Sequence, residues 1–433
     1  MRYVAEHLIT MDSAGSVHSP GVVDIAEGFV TWSGPHAQAP ETAAEVVRVA
    51  GLTMPGMINI HAHTPMLLLR GTGEGLPTDR WLLEIMWPRE ARLVVDDVRE
   101  AMQLGASELL LNGVTTSSEM YFFGDAVAEG AAAAGLRCIV AAPLIESPDL
   151  AAFGTVADQL ANIRAMRTRW RDHALIEVGV GPHSAYALSR DALELVAALI
   201  ADDPMLVHTH IAEQPHEGDG VLQATGMTVP AYLDQLGLLT SRTVGAHCVW
   251  VTPADIELMA ARGVSVAHCP SSNGRHASGI APITEIRAAG INVGIATDGP
   301  ASHDRLDLFE DMRTASRYAR IARMDAAAMT ARTLLEMVTS QAAAAVGRAD
   351  LGRLTPGSRA DMVALDLDEP GFDPILGDDE LFSRVVWAGS PAAVRDVWVG
   401  GQQVVAGRRC LTIDRSNARR DITARALRLT SSG

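Results

Sequence analysis

The chain contains no lysine, and all 35 of its basic residues are arginine. This absence excludes a lysine nucleophile, a Schiff base and a carboxylated lysine that bridges two metal ions. Any metal site in this protein is therefore expected to hold a single ion. Cysteine is also scarce: the four thiols (Cys138, Cys248, Cys269 and Cys410) are scattered and form no CxxC pair. We expect them to be ordinary reduced thiols of a cytoplasmic protein.

The sequence also lacks long apolar runs and an excess of positive charge. No run reaches the roughly 18 apolar residues that a membrane-spanning helix needs, and no basic segment followed by an apolar one marks an export signal. We therefore expect neither a membrane span nor export. A net charge of −17 argues against a nucleic-acid partner, which requires a basic surface. A chain of 433 residues, 48% hydrophobic, predicts one large domain and a smaller one.

From about residue 56 to residue 350, apolar strand-like runs alternate with alanine-rich amphipathic helices. This alternation is typical of βα units and a parallel sheet. Eight candidate strands match a (β/α)₈ barrel; they cover residues 57–60, 114–117, 137–142, 176–181, 205–208, 243–246, 264–267 and 292–296. The predicted helices include residues 97–111, 191–200, 253–261 and 326–346.

Short β-like runs lie on both sides of this region. They cover residues 22–25, 29–32 and 46–49 before it, and residues 362–365, 385–387, 394–399 and 402–405 after it. We predict an α/β protein in which a TIM-like (β/α)₈ barrel (residues 56–351) carries a small β-sandwich domain built from both termini (residues 1–55 and 352–433). The polar segment 419–433 is expected to fray.

Two histidines, His61 and His63, follow directly after the first barrel strand. Side chains two residues apart on a strand point the same way, so these imidazoles could form half of a metal site. Alone, the motif is weak, and an ordinary pair of histidines with satisfied hydrogen bonds explains it better than a metal site does.

The other barrel strands strengthen the metal hypothesis, because the reactive groups of such barrels lie at the carboxyl ends of strands. Histidine or aspartate ends six of the eight strands. These residues include His183, His210, His247 and Asp298 in addition to the first pair.

His61, His63, His210 and Asp298 offer three nitrogens and one oxygen, which suits Zn²⁺, with Fe²⁺ as an alternative. Such an ion leaves room for a water molecule and lowers its pKa. We expect Asp298 to take the proton of that water, Glu213 to carry a proton to a substrate nitrogen, and His247 to stabilise the developing oxyanion. Together these groups predict hydrolytic attack on a C=N or C=O carbon.

With these residues, the chain resembles the amidohydrolase superfamily, and within it the methylthioadenosine/S-adenosylhomocysteine deaminases and their chlorohydrolase-like relatives. The resemblance rests on motifs spread over nearly the whole chain: Pro55-Gly-Met-Ile-Asn-Ile-His-Ala-His63, Trp87-Pro-Arg-Glu90, Gly181-Pro-His-Ser-Ala-Tyr186, His208-Thr-His-Ile-Ala-Glu213, His247-Cys-Val-Trp250, Cys269-Pro-Ser-Ser-Asn273 and Thr297-Asp-Gly299. It implies that His61, His63, His210 and Asp298 bind zinc.

The resemblance also implies a substrate pocket. Glu90 would bind the ribose hydroxyls, Trp81 would form an apolar wall, and His183 would contact the substrate. Members that use S-adenosylhomocysteine carry an arginine where this chain has Ala142, and a second one is missing near residues 153–156. A carboxylate tail would lose charge-assisted partners worth about 1.5–3 kcal/mol each.

We therefore predict a zinc-dependent aminohydrolase that deaminates the 6-amino group of adenosine, 5′-deoxyadenosine or methylthioadenosine in preference to S-adenosylhomocysteine. One alternative is a deaminase or dechlorinase of another N-heterocycle, such as guanine, a pterin or an s-triazine. Another is a metal-free homologue that keeps only the fold. The expected partner is a small nucleoside, with neither nucleic acid nor membrane involved, and the resemblance implies a homodimer or homotetramer.

Overall fold

The computed structural model describes residues 1–430, which form two β-sheets and the helices around them. The strands are β1 (Arg2–Ile9), β2 (Val17–His18), β3 (Gly21–Ala26), β4 (Phe29–Pro35), β5 (Val46–Pro55), β6 (Met57–Ala62), β7 (Val114–Glu119), β8 (Arg137–Leu144), β9 (Ile176–Pro182), β10 (Val207–Ile211), β11 (Thr243–His247), β12 (Ser265–His268), β13 (Asn292–Ile295), β14 (Met362–Leu365), β15 (Val394–Val399), β16 (Gln402–Ala406) and β17 (Arg409–Cys410).

The α-helices are α1 (Thr78–Trp81), α2 (Trp87–Glu90), α3 (Val95–Leu111), α4 (Gly124–Ala134), α5 (Val156–Trp170), α6 (Arg190–Asp202), α7 (Asp219–Thr225), α8 (Val229–Gln235), α9 (Pro253–Arg262), α10 (Pro270–Arg275), α11 (Ile283–Ala288), α12 (Pro300–His303), α13 (Leu308–Arg323), α14 (Ala331–Met337), α15 (Ser340–Ala345), α16 (Leu381–Trp387) and α17 (Arg415–Thr430). A π-helical turn (Leu82–Met86) joins α1 to α2, and a 3₁₀ helix (Pro148–Phe153) precedes α5. No helix in residues 1–430 combines the length and the apolar character that a membrane crossing requires.

Strands β6 to β13 form an eight-stranded parallel sheet in sequence order. Its first and last strands meet, because Asp298 N–H donates to the carbonyl oxygen of His61 over 3.1 Å. All eight strands predicted from the sequence are present, so the barrel is confirmed. Its carboxyl ends carry the candidate site residues.

The remaining strands form one mixed nine-stranded sheet in the order β17-β16-β15-β14-β5-β1-β3-β4, with β2 paired to β1. Strands from both termini meet where β5 pairs with β14, as predicted. Whether the domains divide at residues 55/56 and 351/352 stays a prediction.

The prediction of a strand at residues 385–387 is wrong, because these residues end helix α16. Leu381, Val385 and Val386 are buried, which is the spacing of a helix face rather than the alternation of a strand. The apolar run was too short to distinguish the two from sequence.

The predicted helix at residues 326–346 is divided into α14 and α15. Thr339 leaves the helical conformation between them (φ −131°, ψ −97°). The break leaves the carbonyl oxygen of Val338 free to accept the N–H of Ile58 over 2.8 Å, at the start of barrel strand β6. Packing against the barrel thus interrupts a sequence with good helical propensity.

Residues 415–430, predicted to belong with the small β domain and partly to fray, form helix α17 against barrel helix α3. Arg425 contacts Glu100 and Asp97, and Arg428 also pairs with Asp97. Residues 431–433 of the predicted segment lie outside the described part of the chain.

A buried ion pair joins the two sheets. Arg137, at the start of β8, donates through Nε and Nη2 to the carboxylate of Asp361, over 2.9 and 3.0 Å. Asp361 also accepts the N–H of Gly400, and both charged side chains are almost inaccessible to solvent.

Candidate active site

Three histidines and one aspartate meet at the carboxyl end of the barrel. His61 and His63 lie at the end of β6, and His210 lies on β10. The three imidazoles each offer a nitrogen within 4.8 Å of the others. Asp298 follows β13, and its Oδ1 lies 3.4 Å from His61 Nε2 and 3.3 Å from His63 Nε2. The four side chains expected to bind a metal are therefore neighbours.

Backbone carbonyls orient two of these imidazoles. Nδ1 of His63 donates to the carbonyl oxygen of Met120, and Nδ1 of His210 donates to that of His183 over 2.7 Å. Each contact places the proton on Nδ1 and leaves the lone pair on Nε2. The two Nε2 atoms lie 3.3 Å apart, so both rings present a ligand atom to the same space.

His61 is oriented instead by His208, whose Nε2 lies 2.8 Å from His61 Nδ1. The other nitrogen of His61, Nε2, is buried and has no hydrogen-bond partner. Burial, chiefly, lowers the pKa of His61 to about 4, so the ring is neutral near pH 7. A neutral imidazole with a buried, unpaired nitrogen is the donor that Zn²⁺ binds. The residues present therefore fit the expected ion.

Asp298 is held through its second carboxylate oxygen, Oδ2, which accepts a hydrogen bond from Ser272 Oγ over 2.6 Å. Burial alone would raise the pKa of the Asp298 carboxyl, but the adjacent His61 and His63 hold it well below its usual value. The side chain is thus an ionised carboxylate with Oδ1 turned toward the imidazoles.

The Glu213 carboxylate lies at the edge of the histidine cluster. Its Oε1 accepts hydrogen bonds from Thr78 Oγ1 at 2.9 Å and from Ser278 Oγ at 3.4 Å. Gln214 Nε2 donates to both hydroxyl oxygens, so the hydroxyl hydrogens are free to point at Glu213. The other carboxylate oxygen, Oε2, lies 3.8 Å from His247 Nε2.

His247 ends strand β11 and is held by Asn273, whose Oδ1 accepts from Nδ1 over 2.8 Å. Nε2 is thereby turned toward Glu213. Burial lowers the pKa of His247, but the charges of Glu213 and Asp298 outweigh it and raise the value above the ordinary one. The ring is suited to donate a hydrogen bond to a developing negative charge.

These groups open into one cavity at the mouth of the barrel. Trp81, Glu90 and His183 line it together with His63, His210, Glu213, His247 and Asp298. His61 lies directly behind, against Asp298. The structure therefore brings all nine candidate site residues together, although the role of each stays a prediction.

The three predicted substrate contacts differ in their surroundings. Trp81 is buried with its ring 4.9 Å from that of His276. Burial raises the pKa of Glu90 to about 7, against the opposing effect of the nearby Tyr121 hydroxyl. Burial and the neighbouring histidines lower the pKa of His183 to about 3, so this ring is neutral.

Sequence reasoning missed the side chains that orient the reactive groups: Thr78, Gln214, Ser272, Asn273 and Ser278. Ser272 and Asn273 follow the end of β12, the position that identified the histidines, and could have been found there. Thr78 and Ser278 lie in segments without strand periodicity, 135 and 65 residues from Glu213. No local pattern indicates these two contacts.

The chain is similar to several known proteins over most of its length. The sequence model described as "Amidohydrolase family" matches residues 52–404. A 5′-deoxyadenosine deaminase of Methanothermobacter thermautotrophicus is 37% identical over 84% of each chain. A 5-methylthioadenosine/S-adenosylhomocysteine deaminase of Syntrophobacter fumaroxidans is 34% identical over 94% of this chain and 93% of its own. The crystal structure of an adenosine deaminase from Xanthomonas campestris with bound zinc superposes with a TM-score of 0.94 at 32% identity, covering 99% of this chain and 98% of the other.

Proposed function

The chain belongs to the amidohydrolase family, and we propose that it is a zinc-dependent aminohydrolase of adenosine-type nucleosides. Water adds to C6 of the purine, the C6–N bond breaks, and the products are ammonia and the hypoxanthine analogue. The observation that carries this proposal is a single cavity that is lined both by the histidine cluster and by the buried carboxyl group of Glu90.

His61, His63, His210 and Asp298 would hold the zinc ion. When bound, zinc supplies a Lewis acid that lowers the pKa of a water molecule. The support for this assignment is the unpaired Nε2 of His61, the carbonyl-fixed rings of His63 and His210, and the ionised carboxylate of Asp298. The absence of lysine is consistent with a single ion.

Two carboxylates transfer protons in this reaction, and one imidazole stabilises the developing negative charge. Asp298 accepts a proton from the attacking water, and Glu213 passes a proton to a ring nitrogen of the purine through Oε2, the oxygen that Thr78 and Ser278 leave unbound. His247 Nε2 donates a hydrogen bond to the oxygen that adds to C6. A positioned acid–base pair of this kind contributes factors of roughly 10²–10⁴ to the rate.

In the same cavity, Glu90 accepts hydrogen bonds from the ribose hydroxyls, Trp81 forms an apolar wall of the pocket, and His183 contacts the substrate. We propose a substrate with a neutral 5′ group (adenosine, 5′-deoxyadenosine or methylthioadenosine) in preference to S-adenosylhomocysteine. The names of the related deaminases support this substrate class.

The test is turnover of these nucleosides by zinc-loaded protein, followed by ammonia release and the change in purine absorbance. Glu213→Gln is expected to lower kcat at least about a hundredfold, whereas Glu90→Gln is expected to raise KM for adenosine about tenfold or more and leave turnover of a free base unchanged. Glu257→Gln, an exposed glutamate on α9, is the matched control. Failure to convert any of the three nucleosides would overturn the proposal.

We also propose that the protein acts in the cytoplasm and assembles as a homodimer or homotetramer. The reduced, unpaired cysteines support the location, and the family resemblance supports the assembly. Light scattering of the purified protein measures the assembly directly, and a monomer at micromolar concentration would contradict it.

A further inference from the structure

Residues 71–90 supply a large part of the catalytic cavity wall from a single stretch of chain. Helix α1, the π-helical turn and α2 all lie in this segment. Its side chains that line the cavity are Thr78, Trp81, Leu82, Trp87 and Glu90. The proposed reaction gives three of them a role, but it does not explain what holds the segment in place.

The beginning of the 71–90 segment has no regular structure of its own. No helix or strand covers residues 70–77, and Gly71, Gly73 and Gly75 have φ angles of 77°, 78° and 79°. Glycine loses more conformational freedom on folding than any other residue. We therefore expect contacts from other parts of the fold to hold these residues in one conformation.

Arg275, the last residue of helix α10, makes two such contacts. Its Nη2 donates to Glu74 Oε2 over 2.9 Å, and its Nη1 donates to Asp304 Oδ2 over 2.5 Å. The other oxygen of Asp304, Oδ1, accepts the N–H of Gly71 over 2.7 Å. Arg275 thus holds the segment directly at Glu74 and, through Asp304, at Gly71.

The residue after Arg275 continues this attachment. Nδ1 of His276 donates to the carbonyl oxygen of Leu76 over 3.2 Å, and the His276 ring lies 4.9 Å from that of Trp81. Neither Arg275 nor Asp304 is among the described residues that line the catalytic cavity. Any effect of these two residues on the reaction must therefore pass through the segment that they hold.

Helix α10 also holds two of the reactive groups. Ser272 Oγ donates to Asp298, and Asn273 Oδ1 accepts from His247. One short helix therefore contacts both the reactive groups and the 71–90 segment, which carries the predicted substrate contacts. The position of the segment relative to the reactive groups depends on these contacts.

The two ion pairs of Arg275 differ in their exposure to solvent. The side chain of Glu74 is 81% exposed, whereas that of Asp304 is 42% exposed and that of Arg275 is 17% exposed. Exposed ion pairs contribute little, because water and salt screen them. We therefore expect the contact with Asp304 to be the stronger of the two.

We propose that Arg275 is a positioning residue that, together with Asp304, fastens the 71–90 segment to helix α10 and thereby raises the affinity for the substrate. This inference rests on the proposed function. Without Arg275, only a fraction of the molecules has the segment in its binding conformation, and the apparent affinity falls by that fraction. Bound substrate contacts Trp81 and Glu90 and restores the segment, so kcat is retained.

The first test is steady-state deamination of adenosine by zinc-loaded variants. Arg275→Gln should raise KM about three- to tenfold and leave kcat within about twofold. Arg275→Lys, which keeps the charge but not the two-pronged guanidinium, should give an intermediate KM. Asp304→Asn should raise KM about two- to fivefold, and Glu74→Gln less than about twofold. The matched control is Arg262→Gln, which breaks a comparable arginine–aspartate pair on α9 and should leave KM unchanged.

The second test is hydrogen exchange of the backbone amides, which requires no turnover. Residues 71–81 should exchange faster in Arg275→Gln than in the parent protein, whereas helix α5 should exchange at the same rate in both. If adenosine is turned over and Arg275→Gln leaves either KM or the exchange of residues 71–81 unchanged, or lowers kcat without raising KM, only this inference fails. No turnover of any nucleoside refutes the proposed function, whatever the exchange rates are.

Discussion

The hydroxyl of Thr78 offers the sharpest test of how the reactive carboxylate is held. Thr78 Oγ1 donates to Glu213 Oε1 over 2.9 Å, whereas Ser278 Oγ reaches the same oxygen over 3.4 Å. A hydrogen bond to a charged acceptor contributes about 1.5–3 kcal/mol, and the contribution weakens as the distance increases. If this energy serves to orient the carboxylate in the transition state, Thr78→Val should lower kcat/KM by roughly 10- to 150-fold.

Valine retains the shape of threonine, so the substitution removes the hydroxyl without opening a cavity. Thr78→Ser keeps the hydroxyl and should remain within about threefold of the parent enzyme, and Ser278→Ala should cost only about two- to fivefold because its bond is longer. The assay is steady-state adenosine deamination, with melting temperatures to show that each variant is folded. Equal losses in Thr78→Val and Thr78→Ser, or a larger loss in Ser278→Ala than in Thr78→Val, would refute this account of Glu213.

Four further predictions concern buried charges and zinc binding. Because Glu90 has a pKa of about 7 and binds ribose as a carboxylate, KM for adenosine should fall as pH rises through 7, and in Glu90→Gln it should not. The folded-state pKa of Glu90 lies above its ordinary value of 4.5, so denaturation curves should show the parent protein losing stability relative to Glu90→Gln as pH rises from about 4.5 through 7. Asp361→Asn leaves the buried Arg137 without its counter-charge and should lower the free energy of unfolding in urea by about 3–5 kcal/mol, whereas Asp350→Asn, which breaks a partly exposed pair, should cost about 1 kcal/mol or less. A zinc chelator should lower the melting temperature and added zinc should restore it; an unchanged melting curve would contradict zinc binding to the folded state.

The barrel could be predicted because each strand carries its own signal. A short β-branched run such as Asn292–Ile295, bounded by helical segments, identifies a buried strand without reference to the rest of the chain. The same signal is ambiguous at residues 385–387, where a short apolar run belongs to helix α16. The signal also does not predict helix breaks such as the one at Thr339. That break depends on contacts with β6 and not on the helical propensity of the residue.

The site residues also divide into those that the sequence predicts and those that it does not. The histidines and Asp298 could be predicted because the carboxyl end of a barrel strand is a position that sequence alone identifies. Thr78 and Ser278 could not, because they reach Glu213 from distant parts of the chain, in segments without strand periodicity.

The backbone at the strand ends explains why the reactive side chains converge. Ala212, His247 and Asp298 all have positive φ (48°, 69° and 60°), a conformation that costs a residue with a side chain about 1–2 kcal/mol. Neighbouring strands hold these turns in place: Ala212 O accepts N–H groups from the loop after β11, and Asp298 N–H donates to His61 O at 3.1 Å. Each left-handed residue ends the extended strand conformation at the carboxyl end of the barrel, where the candidate site residues lie. Because the restraining bonds run between strands, including β6 and the residues after β13, the strained geometry exists only in the closed barrel, and the active site is assembled by the same contacts that close the fold.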